Sequence, residues 1–221
     1  ESSAKVYTDL TLFTSNNKIL DEVSNVFNFF DANYKKYNFK HLIVSPLNTE
    51  NRFKKLIKNE IHNAILGKPA WIKIKLNNIT SYNMIKALYE ASRNGVKIQM
   101  IVRGICCLIP KELGMSDNIE VISVVDKFLE HTRFMIFCND QDNHAYISSA
   151  DWMTRNLDNR VEVTTPIYQS ELKKELLDIF DIYWNDNVKS RHVNSININS
   201  YKRNNKPPLR SQEELYNYYL N

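Results

Sequence analysis

The chain has 221 residues, of which 43% are hydrophobic and 24% are charged, and this composition is ordinary for a soluble globular protein. Its formal net charge of +4 is a weak indication of an anionic ligand. The sequence contains four glycines and neither of the common glycine-rich phosphate-binding motifs, the P-loop and the dinucleotide fingerprint.

Membrane spans and disulfides are also disfavoured. No apolar run approaches the roughly 20 residues that a membrane helix requires. The three cysteines are an odd number and two of them are adjacent, which argues against a disulfide framework and against a zinc motif. We therefore expect a cytoplasmic protein, with membrane association through complexes left open.

The first forty residues predict a strand, a helix and a polar connection. Residues 6–13 alternate well enough for a strand. A helix capped by Ser15 or Asn16 follows, because apolar side chains then recur every three to four residues. Its apolar positions are Ile19, Leu20, Val23, Val26, Phe27 and Phe30. Residues 33–40 are polar, with interleaved tyrosine and lysine, so we place the main internal boundary there.

The next segment predicts a short buried strand and a second helix. Residues 39–46 are largely apolar, and Pro46 ends the strand. Thr49 caps a helix that ends at Gly67, a residue that tolerates left-handed backbone. Arg52 lies in the first turn, where the helix dipole disfavours a cation. An anion at this helix end would account for the placement, although a solvated arginine is an equally good interpretation.

Two strands separated by a helix come next, with short connections that are typical of an α/β fold. Residues 71–76 alternate strictly, and Ser81 begins the helix. Residues 96–102 form the following strand, which ends on Arg103 and Gly104. Ligands collect at the carboxyl ends of parallel strands, so Arg103 is well placed to bind an anion.

Residues 128–137 are predicted to be a strand that carries His131 and Arg133. Side chains on a strand alternate, so these two point the same way. Because an imidazole beside a guanidinium is costly to hold without an anion between them, we expect a phosphoryl group here. A strand-end histidine beside a solvated arginine is the simpler interpretation of the two residues taken alone.

The remainder completes the predicted elements. Residues 145–149 pair with the preceding strand, residues 151–156 form a polar loop, and a further strand ends at Pro166. A helix capped by Ser170 follows, and residues 212–219 form a short helix that docks on another chain or an absent domain. We therefore predict an α/β fold with a mixed β-sheet flanked by helices.

One set of residues resembles the half-site of the phospholipase D superfamily, H-x-K followed by G-S-x-x-N. Here His131 and Arg133 are followed by Ser148, Ser149 and Asn156. Arginine replaces the lysine and serine replaces the glycine of the superfamily pattern. A working site of that kind needs two half-sites, and the sequence shows a single one. The resemblance thus implies a phospholipase-D-like fold and speaks against ordinary phosphodiester cleavage.

Longer segments resemble the carboxyl-terminal part of class 1 bacterial polyphosphate kinases, in the same order. They are Val6-Tyr-Thr-Asp-Leu, Ile101-Val-Arg-Gly-Ile-Cys-Cys-Leu-Ile-Pro, Ser116-Asp-Asn-Ile, Val125-Asp-Lys-Phe-Leu-Glu-His-Thr-Arg and Ile147-Ser-Ser-Ala-Asp-Trp-Met-Thr-Arg-Asn-Leu-Asp. The resemblance implies two phospholipase-D-like domains at the end of a longer chain. Residues 1–40 would complete the first domain, residues 41–190 would form the second, and residues 191–221 would be a polar tail with a short helix.

The resemblance also implies a reaction, the reversible transfer of the terminal phosphate of ATP to inorganic polyphosphate through a phosphohistidine. In the family, that histidine and the Mg²⁺-linked arginines lie upstream, so we expect the 221 residues alone to be inactive. The expected partners are ATP or ADP, inorganic polyphosphate, the rest of the polypeptide and further copies in a homo-oligomer. Neither nucleic acid binding nor a transmembrane segment is expected.

Matching positions imply roles for individual residues. Tyr7 would contact ATP, and Arg103 and His131 would contact ATP or its phosphates. Arg133 would clamp phosphate oxygens beside them, and His131 would act catalytically by donating a proton or hydrogen bond to the leaving β-phosphate or to the phosphohistidine. Further cations could line a path for polyphosphate, although a plain surface charge is at least as good an interpretation of each. These cations are Lys75, Arg52, Arg155 and Arg160.

Two other functions stay open at this point. One is a phospholipase-D-type phosphodiesterase that builds a site from two half-sites by dimerisation. The other is a non-catalytic module that binds a polyanion or mediates assembly, which the absence of the family's nucleophile favours for these residues alone.

Overall fold

The computed structural model describes residues 5–194 and 199–220, in which strands and helices alternate. The strands are β1 Tyr7–Thr8, β2 Ile43–Ser45, β3 Trp71–Leu76, β4 Lys97–Val102, β5 Ile119–Val124, β6 Leu129–Glu130, β7 Phe134–Phe137, β8 His144–Ser148, β9 Glu162–Ile167 and β10 Ser190–His192. The helices are α1 Asn17–Asp31, α2 Thr49–Ile65, α3 Tyr82–Arg93, α4 Thr154–Asp158, α5 Ser170–Asn185 and α6 Ser211–Leu220. The predicted α/β class is confirmed.

The main sheet has the strand order β10-β5-β4-β3-β7-β8-β9-β2. Strands β3, β4 and β5 are parallel, while the remaining neighbours in the sheet are antiparallel. Strands β1 and β6 form a separate parallel pair. The sheet is therefore mixed, as predicted, and the carboxyl ends of its three parallel strands meet at one edge.

Alternation along β3 divides the apolar core between the two faces of the sheet. Ile72 and Ile74 lie in a buried cluster with side chains of α2 and α3. Trp71 packs in a second cluster with side chains of α5, and the Nζ of Lys73 lies 5.1 Å from the ring centre of Phe180 on the same face. Helices therefore cover both faces of the sheet, as the strict alternation of residues 71–76 indicates.

Most helix boundaries agree with the sequence prediction. The side chains of Asn16 and Ser81 cap α1 and α3, as predicted, by accepting hydrogen bonds from backbone N–H groups. Thr49 and Ser170, predicted as N-caps, are instead the first helical residues of α2 and α5. The N-cap positions are occupied by Asn48 and Gln169. In residues 5–194 and 199–220, every helix is too short or too polar to cross a bilayer.

The prediction of one continuous strand over residues 128–137 is wrong. The chain forms β6, leaves strand geometry at residues 131–133, and resumes as β7. The break occurs because β6 pairs with β1, whereas β7 lies between β3 and β8 in the main sheet. His131 and Arg133 therefore lie at the point where the chain passes from one sheet to the other.

Three shorter predictions also need correction. Strand β1 covers Tyr7 and Thr8 rather than residues 6–13. The polar loop after residue 151 contains the short helix α4. Pro166 lies inside β9 opposite Tyr146, so it does not end the strand.

The terminal helix α6 packs on its own chain, contrary to the prediction that it docks elsewhere. The hydroxyl of Tyr218 donates a 3.2 Å hydrogen bond to Asp178 of α5, and the hydroxyl of Tyr219 donates a 2.7 Å bond to Glu175. Gln212 at its start exchanges hydrogen bonds with the backbone of Phe128. These contacts bring α6 next to the break that carries His131.

Candidate active site

The site forms where loops from neighbouring strands pack closely at the carboxyl edge of the sheet. The loop after β3 contributes Asn77 and Asn78, and the loop after β4 contributes Arg103 and Gly104. A Cβ atom at Gly104 would lie 2.5 Å from the Oδ1 of Asn78 and 2.9 Å from the carbonyl oxygen of Asn77. The close approach therefore requires glycine, and it places Arg103 beside Asn77.

His131 lies at the centre of the site and is held from two sides. Its Nδ1 is 2.8 Å from Oδ1 of Asp9, and its Nε2 is 3.2 Å from Nη1 of Arg133. The ring of Tyr7 lies edge-on to the imidazole, with 4.8 Å between ring centres. An Nδ1–H that donates to Asp9 leaves the lone pair on Nε2, so that nitrogen can exchange a proton with a ligand.

Strand β1 delivers both neighbours of His131 from the start of the chain. Tyr7 pairs with Leu129, and Thr8 pairs with Glu130, in parallel register. The backbone N–H of His131 donates to the carbonyl oxygen of Thr8 over 3.2 Å. Since Asp9 follows directly, its carboxylate reaches the imidazole, a contact between residues 122 positions apart that the local sequence does not reveal.

Arg133 is oriented by the buried carboxylate of Asp151. Its Nη2 is 3.3 Å from Oδ2 of Asp151, and its Nε is 3.4 Å from Oδ1. The same carboxylate accepts from the backbone N–H groups of Asn77 and Asn78 over 2.8 and 3.1 Å. Asp151 therefore fixes the guanidinium and the loop after β3 together, and its charge offsets that of Arg133.

Arg103 is held at Nε, and its terminal nitrogens form no hydrogen bond with residues 5–194 and 199–220. Its Nε donates to Oδ1 of Asn77 over 2.8 Å and also to the carbonyl oxygen of Glu130. Within residues 5–194 and 199–220 it forms no ion pair with a carboxylate. A half-buried guanidinium without a carboxylate partner is suited to binding an anion bidentately.

A cavity of about 280 Å³ lies in front of His131. Its polar lining residues are Asp9, His131, Thr132, Arg133, Ser148, Ser149 and Thr165. Asn156, predicted as a further neutral donor, is buried and donates to Glu162 over 2.7 Å instead. The cavity thus places His131 and the cation Arg133 where they can hold a phosphoryl group, whereas the hydroxyl of Ser149 donates to Glu162 and that of Ser148 is hydrogen-bonded to Thr164.

Below the site lies a buried ion pair between Lys75 and Glu130. The Nζ of Lys75 is 3.0 Å from Oε2 of Glu130, and it donates to Oγ1 of Thr132 over 2.7 Å. Burial lowers the pKa of Lys75, and the carboxylate of Glu130 partly offsets that effect. Since Lys75 is 1% exposed, it supports the backbone around His131 and does not line a surface path.

The other predicted path cations lie outside the cavity. Arg52 donates to the carbonyl oxygens of Phe39 and Lys40 over 3.3 and 3.0 Å, which accounts for its place in the first turn of α2 without an anion. Arg155 and Arg160 are exposed at the surface. The structure therefore brings together Tyr7, His131 and Arg133, with Arg103 joined to them through Asn77, and leaves these cations apart from them.

A family model for "Polyphosphate kinase C-terminal domain 2" matches residues 42–212 of the chain. Among curated relatives, the polyphosphate kinase of Vibrio parahaemolyticus is 46% identical over 222 residues, and that of Escherichia coli is 44% identical over 219 residues. The matches cover 100% and 99% of this chain but 32% of each relative. The chain thus spans about a third of the length of these relatives.

A solved structure shows the same fold. The crystal structure of polyphosphate kinase from Porphyromonas gingivalis superposes with a TM-score of 0.90 at 39% sequence identity. The superposition covers 94% of this chain and 32% of that protein. The likeness therefore extends over nearly all of the present fold.

Proposed function

Because the chain belongs to the polyphosphate kinase family, we propose that it is the carboxyl-terminal part of an enzyme that reversibly transfers the terminal phosphate of ATP to inorganic polyphosphate. The observation that carries the proposal is the group formed by His131, Asp9 and Arg133 in front of one cavity, with Arg103 free to bind an anion beside it. Phosphoryl transfer mainly requires positioning and stabilisation of oxygen charge, and this group can supply both.

The proposed division of labour follows from the contacts. Arg103 and Arg133 hold phosphate oxygens, with Asp151 keeping the guanidinium of Arg133 in place. In its doubly protonated form, His131 keeps the Nδ1–H contact with Asp9 and donates a hydrogen bond or a proton from Nε2 to the leaving β-phosphate. Tyr7 is 37% exposed, and its ring is proposed to stack on adenine.

The phosphorylated histidine of the reaction is proposed to lie upstream, outside these 221 residues. Residues 1–40 would then complete a preceding phospholipase-D-like domain, residues 41–190 form the second such domain, and residues 191–221 form the tail. The start of the family match at residue 42 supports the first boundary, whereas its end at residue 212 and the pairing of β10 with β5 join most of the tail to the second domain. We further propose that the protein acts in the cytoplasm as a homo-oligomer.

Mg²⁺ is proposed to accompany ATP, with protein ligands from the upstream region. In the part of the chain that the structure describes, no three His, Cys, Asp or Glu side chains converge as a metal site would require. The described residues therefore do not fit a resident metal ion.

The full-length protein with His131→Ala or Arg103→Ala tests the proposal, with Arg93→Gln as a control for loss of an exposed arginine on α3. We expect each site variant to lower kcat/KM for polyphosphate synthesis about a hundredfold or more, because donors to a developing charge have effects of this size. The control should retain wild-type activity.

A second measurement locates the covalent intermediate. After brief exposure to ATP labelled at its γ-phosphate, the protein should carry phosphohistidine on a peptide outside these 221 residues. Label on His131 itself would contradict its proposed role as donor to the leaving group. A protein that takes up label yet makes no polyphosphate would contradict the proposed reaction.

A further inference from the structure

A second cleft, of about 610 Å³, opens where strands β4, β5 and β10 lie side by side. It is lined by Arg103 but not by His131. Its other polar or charged lining residues include Ser123, Arg191, His192 and Asn199. Arg103, which contacts Asn77 of the candidate active site, therefore also lines this second cleft. The division of labour proposed above assigns the cleft no role.

Strand register builds this cleft from the sheet itself. Ser123 of β5 pairs with Arg191 of β10, so the two side chains project from the same face of the sheet. Val193 packs against the apolar cluster on that face and anchors the end of β10. Arg191 is thus held by regular secondary structure at the edge of the sheet where Arg103 also lies.

The charge of the cleft has one sign. The described residues that line it include the cations Arg103 and Arg191 and the titratable His192, and none is a carboxylate. Asp126 follows the lining residue Val125 in sequence, but Arg210 binds both of its oxygens at 2.7 Å. The positive field of the cleft is therefore not cancelled by that neighbour.

Two arginines also share one aromatic ring at the cleft. The guanidinium carbon of Arg191 lies 4.2 Å from the ring centre of Tyr201, and that of Arg203 lies 4.7 Å from it. Arg191 donates to the hydroxyl of Tyr201 over 2.8 Å, and neither arginine forms an ion pair with a carboxylate of the described residues. Holding like charges together is costly, and a bound anion would offset that cost.

We infer that this cleft binds a stretch of the inorganic polyphosphate chain remote from the reacting phosphate, with Arg103 at one end of the cleft and Arg191 farther along. The inference rests on the proposed function and extends it to the substrate chain. A row of cations without carboxylates matches a ligand that repeats one negative charge at each phosphate. It also replaces Lys75, which is buried, as a candidate for the path.

Chain-length dependence of the reverse reaction tests the inference in the full-length protein. ATP formation from ADP is measured with tripolyphosphate and with long-chain polyphosphate, for wild type, Arg191→Gln and Arg93→Gln. We expect Arg191→Gln to raise the KM for long-chain polyphosphate about tenfold, because one charge-assisted contact is lost. The KM values for ADP and tripolyphosphate and the kcat should not change, and Arg93→Gln should match wild type throughout.

His192→Gln provides a second control, because His192 is exposed and its side chain alternates to the face of β10 opposite that of Arg191. It should leave the KM for long-chain polyphosphate unchanged. Equal effects of Arg191→Gln on short and long chains, or no effect of Arg191→Gln, would overturn the inference while wild-type turnover keeps the proposed function. No ATP formation by wild type with either polyphosphate would overturn both.

Discussion

Two buried glutamates, Glu130 and Glu60, show how differently one fold treats the same side chain. Glu130 is 2% exposed and meets the ammonium group of Lys75 at 3.0 Å. Glu60 is 0% exposed, and no cation of residues 5–194 and 199–220 pairs with it. Its Oε1 accepts from the backbone of Asn139 over 2.7 Å, and its Oε2 has no hydrogen-bond partner among the same residues. Burial accordingly raises the pKa of Glu60 to about 7.

The two carboxylates also serve different places in the molecule. Glu130 precedes His131 and receives hydrogen bonds from Thr8 and Gln212, so it ties β1 and α6 to the candidate active site. Glu60 lies on α2 and holds the turn at residues 139–141, where three successive non-glycine residues have positive φ angles. A paired charge is therefore found beside the site, and an unpaired carboxyl group supports a strained turn.

Lys75→Met should have the largest effect on this difference, because it makes Glu130 an unpaired buried carboxylate like Glu60. The substitution keeps the length of the side chain but leaves the carboxylate of Glu130 buried without its cation. We expect the free energy of unfolding to fall by about 3–5 kcal/mol, as found when one partner of a buried ion pair is removed. Urea unfolding of the purified protein, followed by circular dichroism, measures the change.

The double variant Lys75→Met/Glu130→Gln is the control for that experiment. It removes the negative charge of Glu130, which Lys75→Met leaves buried without a cation. The double variant should therefore be more stable than Lys75→Met alone. A single variant that unfolds within about 1 kcal/mol of wild type would show that the carboxylate of Glu130 finds another partner or takes up a proton.

The contrast between the glutamates also marks the limit of what the sequence predicts. Local patterns predict the helices and the faces of β3, because caps such as Asn16 and alternation such as that of residues 71–76 involve near neighbours. The partners of Glu130 are Lys75, Thr8 and Gln212, which lie 55, 122 and 82 positions away. Nothing local to residue 130 indicates whether its charge will be paired.

The distance between partners along the chain also explains which contacts of the candidate site were predicted from the sequence and which were not. His131 and Arg133 are two positions apart, so the sequence places their side chains together. Asp9 and Asp151 complete the group from distant segments and were not predicted as its partners. The break between β6 and β7 was also missed, since a short apolar run does not reveal that its two halves pair in different sheets.

Glu60→Gln should produce the second largest effect and should change its size with pH. The folded protein keeps a proton on Glu60 up to about pH 7, whereas the unfolded chain releases it near pH 4.5. The stability of the wild-type protein therefore falls as pH rises through this window, by about 3 kcal/mol in total, and does not recover above it. Glutamine cannot ionise, so the variant should lack this component.

Urea unfolding of both proteins from about pH 5 to about pH 8 measures the difference. The variant should gain on wild type with rising pH and be the more stable protein above pH 7. Glu50→Gln on the same helix is the control, because Glu50 pairs with Lys54 near the surface and such pairs contribute about 0.3–0.5 kcal/mol. Parallel pH profiles for wild type and Glu60→Gln would show that Glu60 stays ionised when buried.

Gln212→Leu should give the smallest effect, and it asks whether a neutral donor matters once Glu130 has its cation. The amide of Gln212 donates to Oε1 of Glu130 over 2.6 Å and to the carbonyl oxygen of Phe128 over 2.9 Å. We expect a loss of about 1–2 kcal/mol in the free energy of unfolding, below that of Lys75→Met, because Lys75 still pairs with the carboxylate.

In the background of Lys75→Met, the substitution Gln212→Leu should lower the free energy of unfolding further, since the amide is then one of the few donors left to a buried charge. Equal costs in the two backgrounds would mean that Gln212 stabilises α6 alone, and that the ion pair by itself accounts for the difference between Glu130 and Glu60.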